Sequence, residues 1–170
     1  NYFTDLGVSS ADNGVNWTTA STYYWPGYEL AFFAYAPQAP AGTVSIDNAS
    51  KKITGFSPAQ AVADQKDLVI SYNTGTKAVN EGPGVAMNFK HALSQIEVKA
   101  KCSNDKIKIE IMGVKLVNAA AKAEFAFPET ETKSSYVLQQ SQWSNWSEKD
   151  DPTKAYMIKG GAPVILTADA

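Results

Sequence analysis

The chain has 170 residues, 44% of them hydrophobic, and a formal net charge of -2, which fits one domain with a real core and excludes a disordered segment. All fifteen cationic residues are lysine, so the chain has no arginine. Arginine is the residue whose guanidinium makes bidentate hydrogen bonds to phosphates and base edges, and nucleic acid is therefore excluded as a partner. No apolar run approaches the roughly 20 residues of a membrane helix, so we expect no transmembrane segment in this chain.

The first third of the chain predicts a polar start followed by short strands. Residues 1–22 are turn-rich and have no sustained period. Residues 30–36 are apolar at both parities and are followed by Pro37, which predicts a strand covered on both faces. Ser57 and Pro58 favour the start of a helical turn. Further strands are predicted at residues 43–46, 52–56 and 67–72.

Residues 85–117 carry the clearest pattern. Apolar residues occupy every second position on each side of a polar turn at 103–105: Ile96, Val98, Ala100, Cys102, Ile107, Ile109 and Ile111. This alternation predicts two antiparallel strands joined by that turn, with the isoleucines buried and Lys106 and Lys108 exposed. The parity changes near 94–95 and at 112–113, which predicts β-bulges, and a strand bearing Val114 and Leu116 follows.

The last third predicts strands at residues 123–127, 136–138, 156–159 and 163–167. Short strands with turn signals every eight to twelve residues or so are typical of a sandwich or barrel and not of an α/β fold. We therefore predict an all-β antiparallel β-sandwich, in a single domain that spans residues 1–170.

Five motifs occur in a recognisable order: YYWP at 23–26, LAFFAYAP at 30–37, DLVISY at 67–72, VAMNFKHALSQIEVKAK at 85–101 and IKIEIMGVKLVN at 107–118. In order and spacing they resemble the fimbrillin-like proteins of Bacteroides-type bacteria. The most specific part of the match is FKHALSQIEV at 89–98. The resemblance covers residues 23–118, more than half of the chain.

This resemblance implies the N-terminal domain of a fimbrial or surface-adhesin subunit, with a Greek-key sandwich of transthyretin-like type. It also implies a lipoprotein precursor carried to the outer membrane, and subunits that exchange a strand after N-terminal processing. Family members usually carry more strand-forming sequence upstream and a second sandwich domain downstream. We therefore expect an incomplete N-terminal domain of a longer protein, with an open edge or groove near one terminal strand.

Residues suited to catalysis or metal binding are sparse. His91, the one histidine, shares the parity of Phe89 and Leu93, so we expect it to be mostly buried and without a metal. Cys102 is expected to be a small buried hydrophobe. Acidic groups at 64–67, 129–131 and 148–151 lie in polar loops and favour solvated faces. With no nucleophile elbow and no phosphate loop in the sequence, we predict no enzyme, no metal and no cofactor.

The better candidates for ligand binding are four aromatic residues: Trp143, Trp146, Tyr23 and Tyr24. Rings in loops can stack on a sugar or anchor a protein interface, or they can simply cover one end of the sandwich. Two functions therefore stay open. The first is a structural or adhesive fimbrial subunit whose partners are neighbouring subunits and a host protein or glycan receptor. The second is a surface carbohydrate-binding module. An enzyme has little support, because residues suited to catalysis are sparse in the sequence.

Overall fold

The computed structural model describes residues 2–46, 49–147 and 155–166, and almost all of its regular structure is strand. A short helix, α1, spans Lys77–Asn80, and 3-10 turns lie at Val62–Asp64 and Gln140–Gln142. In chain order the strands are β1 (Val8–Ser9), β2 (Thr18–Thr19), β3 (Leu30–Ala36), β4 (Thr43–Ile46), β5 (Lys51–Phe56), β6 (Val69–Gly75), β7 (Lys90–His91), β8 (Glu110–Ile111), β9 (Val114–Val117), β10 (Lys122–Ala126), β11 (Trp143–Ser147), β12 (Ala155–Lys159) and β13 (Val164–Ile165).

Two antiparallel sheets form the body of the fold. The larger has the order β11-β10-β5-β4 and the smaller the order β3-β6-β7, while β1 with β2, β9 with β12 and β8 with β13 form separate two-stranded ladders. Every ladder between the described strands is antiparallel. The predicted all-β antiparallel sandwich is confirmed. The Greek-key, transthyretin-like connection stays a prediction.

The core lies between the two sheets. Ile53 of β5 and Phe125 of β10 are 0% exposed, as are Leu68 and Ile70 on the side of β6. Strand β3 shows why its sequence is apolar at both parities. Phe33 and Tyr35 pack against the core, whereas Phe32 contacts Trp25 at a ring-centroid distance of 5.9 Å, away from it. The predicted strand with two covered faces is confirmed.

The side chain of Thr132, which belongs to a loop, lies where β6 and β7 stop pairing. The two strands pair only at Val69 with His91 and Ile70 with Lys90. Two residues beyond the Ile70–Lys90 pair, the hydroxyl of Thr132 donates to the carbonyl of Asn88 at 2.7 Å and accepts from the backbone N–H of Tyr72 at 3.1 Å. Thr132 therefore supplies the bonds that the interrupted ladder lacks, and it is 0% exposed.

The hairpin predicted across residues 96–111 is wrong. Residues 92–109 belong to no strand, and the strands that follow pair elsewhere, β8 with β13 and β9 with β12. Ile96, Val98 and Ile107 are 49%, 51% and 53% exposed, so they lie at the surface like the lysines beside them. Alternation indicates that a strand has two different faces, but the neighbouring elements decide whether the apolar face is covered. The predicted β-bulges are also wrong: residues 94–95 belong to no strand, and at 112–113 the strand ends, since β8 and β9 on either side pair with different partners.

Three smaller predictions also need correction. No helical turn forms at 57–60; the nearest begins at Val62. Residues 136–138 form no strand, and the strand of that region is β11 instead. The predicted strands near the C-terminus are confirmed as β12 and β13, although residue 167 and the acidic group at 148–151 lie outside the described residues.

Candidate functional site

Residues 2–5, which we call the N-terminal clasp, lie across β3. The ring of Phe3 contacts Phe32 of β3 at 6.1 Å between centroids, and it meets the ring of Tyr23 edge-on at 5.6 Å. Tyr2 packs edge-on against Phe3 at 5.7 Å, and its hydroxyl donates to the backbone carbonyl of Tyr24. The clasp is therefore fixed to the face of β3 that points away from the core.

A hydrogen bond also joins the clasp to the core side of β3. The ring of Tyr35 packs against Phe127 at 6.3 Å, and its hydroxyl donates to the carboxylate of Asp5. Burial of the phenol, with the bond to Asp5 and the charge of that carboxylate, raises the pKa of Tyr35 to about 12. Asp5 and Tyr35 are 30 positions apart in the sequence, and no local pattern predicts this contact.

Alkaline pH is expected to weaken this attachment. Tyr35 ionises at about pH 10 in the unfolded chain and at about 12 in the fold, so its contribution is full below pH 10 and disappears as the pH rises to 12. Because the pair is partly open to solvent, screening reduces the value of the shift to about 1 kcal/mol of unfolding free energy. Urea unfolding of wild type and Tyr35→Phe between pH 9 and 12 measures it. The stability difference between the two should shrink across this range, and a constant difference would contradict the assignment.

The clasp leaves one edge of β3 without a ladder. In the smaller sheet β3 is an outer strand, and its seven residues pair on one side with β6, from Leu30 opposite Gly75 to Ala36 opposite Val69. Among the described residues no strand pairs with its other side, since β1 pairs only with β2. An unpaired edge of this length offers its N–H and C=O groups to another strand.

The predicted residues Trp143 and Trp146 come together on β11, and we call them the tryptophan pair. Their ring centroids are 5.8 Å apart with an angle of 34° between the planes. The register explains this: Ser144 lies opposite Glu124 and Ser147 opposite Lys122, so β11 has one more residue than β10 over this stretch. Asn145 takes up the excess with a φ of 51°, a left-handed conformation that asparagine tolerates.

The two tryptophans have different surroundings. The ring of Trp143 lies 4.9 Å from that of Phe125 and 5.5 Å from that of Phe56, and its Nε1 donates to the carbonyl of Ala92 at 3.2 Å. Trp143 thus covers the core, which was one of the two interpretations of its sequence. Trp146 packs only against its neighbour among the ring contacts of the described residues and is 45% exposed.

A polar group lies on the other face of the β10–β11 ladder, since Glu124 is opposite Ser144 whereas Trp143 is opposite the buried Phe125. Lys52 on β5 donates through Nζ to Oε2 of Glu124 at 2.8 Å, and the side chain of Asn145 also hydrogen-bonds to this carboxylate. These bonds, that of Lys52 first, hold the pKa of Glu124 below its usual value. Glu124 is consequently an anion at neutral pH, with a fixed orientation next to the bulge.

Tyr23 and Tyr24, the other two predicted ligand residues, lie in the clasp region and have no ring contact with the tryptophan pair. Tyr23 is 44% exposed and Tyr24 80% exposed. The sequence therefore named two separate aromatic surfaces as one set. The sequence did not identify Asp5, Glu124 or Asn145 as residues of these surfaces. The one signal it offered was Asn145 itself, because asparagine between two tryptophans of a strand favours a bulge.

The prediction that His91 is mostly buried is wrong, since its side chain is 78% exposed. Lys90 pairs with the buried Ile70, and directly opposed residues share a face, so the inward position belongs to Lys90. The imidazole instead contacts the carboxylate of Asp67. Cys102 is 5% exposed, and its thiol donates to the carbonyl of Asn104 at 3.2 Å, which confirms the predicted buried position.

The described part of the chain contains no group of three or more His, Cys, Asp or Glu side chains that could hold a metal ion. Within the same residues, no helix has the length and apolar character needed to cross a membrane. The two features with unusual geometry are the clasped edge of β3 and the tryptophan pair.

Comparison with known proteins gives one match. No curated protein and no solved structure matches the chain. A protein-family model described as fimbrillin-like matches residues 1–164, which includes both sheets, the clasp and the tryptophan pair. The all-β fold and the motifs between residues 23 and 118 agree with this match, and the chain belongs to the fimbrillin-like family.

Proposed function

We propose that this chain is a structural and adhesive subunit of a bacterial surface fimbria whose neighbours join by strand exchange at the free edge of β3. Membership of the fimbrillin-like family makes the chain a fimbrial subunit, which is a structural role at the cell surface in association with other subunits. The mode of joining is the proposed part, and the unpaired edge of β3 is the observation that supports it.

The edge of β3 has the properties that an acceptor strand needs. Backbone bonds along seven residues would give an added strand its affinity, and alternating side-chain positions would fix its register. Because β3 is apolar on both faces, a strand beside it would extend the core next to Phe33 and the aromatic layer next to Phe32. Such head-to-tail contacts do not close on themselves, so they generate a filament.

An added strand can displace the clasp without breaking a strand pairing between the clasp and β3. Ring contacts of Phe3 and the bond between Asp5 and Tyr35 attach it to β3, and among the described residues no strand pairing joins the two. A strand that pairs along β3 would replace these side-chain contacts with backbone bonds. Removal of the clasp by processing would free the same surface of β3 for the side chains of an added strand.

The chain also exposes an apolar surface that neighbouring subunits could cover. In the row at 96–112, five side chains are 40–67% exposed: Ile96, Val98, Ile107, Ile109 and Met112. Exposed apolar surface on this scale is typical of subunits that are covered in an assembly.

Hydrogen exchange of the mature full-length protein, before and after assembly into fimbriae, tests the proposal. Amides of residues 30–36 on the free side should exchange rapidly in the monomer and slowly in the fimbria. The matched control is β11, the outer strand of the other sheet, whose amides at 143–147 should be unaffected by assembly. Fimbriae in which β3 gains no protection, or a mature protein that stays strictly monomeric, would refute strand exchange at this edge.

The same proposal makes the chain the N-terminal domain of a longer subunit that reaches the outer membrane as a lipoprotein. This part rests on the family resemblance alone. A precursor sequence with a lipid-attachment signal and a second sandwich domain would support it, and a precursor with neither would contradict it.

A further inference from the structure

The loop between β1 and β2 contains the one Asn-Gly pair of the chain, Asn13 followed by Gly14. Both residues are exposed, and both have left-handed backbones, with φ values of 56° and 87°. The backbone nitrogen after an asparagine can close a five-membered ring on the side-chain carbon Cγ. Gly14 favours this closure, because it has no side chain to shield its nitrogen and its backbone is free to adjust.

A chain of two hydrogen bonds starts at the nitrogen of Gly14. Its N–H donates to Oγ of Ser10 at 2.8 Å, and the hydroxyl of Ser10 in turn donates to Oδ1 of Asp12 at 2.7 Å. Because Asp12 takes the hydroxyl hydrogen, the lone pairs of Ser10 are available to the N–H of Gly14. An amide nitrogen becomes a nucleophile when it loses its proton, and these bonds give that proton a path to a carboxylate.

The other bonds of the loop fix the orientation of Asp12 and Gly14. Asp12 accepts from the backbone N–H of Asn16 at 2.9 Å and from its Nδ2 at 2.7 Å. The bonds from the backbone of Asn16, from Ser10 and from the side chain of Asn16 lower the pKa of Asp12 to about 2, so its carboxylate is ionised at neutral pH. The indole Nε1 of Trp17 donates to the carbonyl of Gly14 at 3.1 Å. The acceptor path and the nucleophile are therefore held in one arrangement.

We propose that Asn13 is a self-modification site, at which the groups of this loop convert the side-chain amide to a carboxylate. The nitrogen of Gly14 bonds to Cγ of Asn13 while its proton passes through Ser10 to Asp12. The bond from Cγ to Nδ2 then breaks, and Nδ2 takes up that proton and leaves as ammonia. Solvent water opens the resulting succinimide, either at Cγ, which gives aspartate, or at the backbone carbonyl, which gives isoaspartate.

The products differ from the original loop in charge and in backbone length. Each conversion adds one negative charge next to Asp12, and isoaspartate also adds a methylene to the main chain. Since β1 and β2 pair at two positions only, this ladder is expected to open in the isoaspartate form. The two sheets of the body do not include β1 or β2, so the modification is independent of strand exchange at β3.

Incubation of the folded chain at neutral pH, followed by peptide mapping with tandem mass spectrometry, tests this site. The peptide that carries Asn13 should gain about 1 Da and should contain both aspartate and isoaspartate. Asn118 is the control within the same chain, because it has a similar φ of 59° but is followed by alanine. It should keep its amide over the time in which Asn13 is converted.

Ser10→Ala separates the contribution of the loop from that of the Asn-Gly pair. It removes the acceptor of the Gly14 N–H and should slow the conversion by about fivefold. This is less than the roughly 10²–10⁴-fold of a tuned enzymatic base, because Asp12, with its low pKa, is a weak base. The matched control is Ser9→Ala, since Ser9 is the exposed serine before Ser10 and lies outside the path.

Asn13→Gln identifies the modified residue. It keeps an amide, but ring closure would need a six-membered ring, so the gain in mass should disappear. Circular dichroism should show that all variants keep the fold. If wild type retains the amide of Asn13 as well as it retains that of Asn118, the proposal is wrong. It is also wrong if Ser10→Ala is converted as fast as wild type or faster, because the bond to Ser10 would then only restrain the loop.

Discussion

Replacing Phe125 with alanine is expected to lower the free energy of unfolding by about 3–5 kcal/mol. Phe125 is 0% exposed and lies at the centre of the larger sheet, opposite Ile53 on β5. Its ring contacts Phe127 at 5.8 Å and Trp143 at 4.9 Å, so truncation leaves a cavity that rings on neighbouring strands cannot fill without leaving their positions.

Urea unfolding followed by tryptophan fluorescence measures this loss, because Trp143 borders the cavity. The matched control is Phe89→Ala, which removes the same side chain at a position that is 45% exposed and should change the stability by less than about 1 kcal/mol. Equal effects of the two variants would show that Phe125 is not the centre of the core.

The second large effect is expected for Thr132→Val, which keeps the shape of the side chain and removes its hydroxyl. That hydroxyl bonds to Ser71 Oγ at 2.9 Å, to the carbonyl of Asn88 and to the N–H of Tyr72. Valine would leave these groups buried without their partner, and an unsatisfied buried polar group costs about 1–3 kcal/mol. We expect a total loss of about 2–4 kcal/mol, because Ser71 and Tyr72 can recover part of their bonding elsewhere.

Thr132→Ser and Thr130→Val are the controls. The first keeps the hydroxyl and should recover most of the stability, and the second makes the same change at an exposed position of the same loop. Ser71→Ala combined with Thr132→Val should cost less than the sum of the single changes, because the two hydroxyls share a bond. If Thr132→Val is as stable as wild type, the hydroxyl does not hold β6 and β7 together.

Local sequence signals determined much of the fold. The predicted bounds of β3 and β4 match the observed strands, since Pro37 ends the first and the glycine and proline residues around 37–42 separate the two. Strands β5 and β10 were placed within one residue at each end. In each case a change of composition or a proline marks the point where a ladder can no longer continue.

Contacts between distant segments could not be predicted in the same way. The alternation at 96–111 is real, yet the structure gives these residues no strand to pair with. The inward position in β7 depends on which residue lies opposite Ile70, and a shift of one residue exchanges Lys90 with His91. Likewise, the stacking of Trp146 on Trp143 depends on the register between β10 and β11, which only the folded sheet reveals.

The connectivity of the sheets bears on how the chain folds. Apart from the β4–β5 hairpin, the longer ladders join segments that are far apart in the sequence, such as Leu30 with Gly75 and Ile53 with Phe125. The chain loses entropy in closing large loops before such pairings can form, so folding is expected to take milliseconds to seconds. During that interval the edge of β3 is open to any extended segment of another copy. The clasp packs on β3 through side chains and adds no ladder to that edge, so pairing with another copy competes with folding at β3.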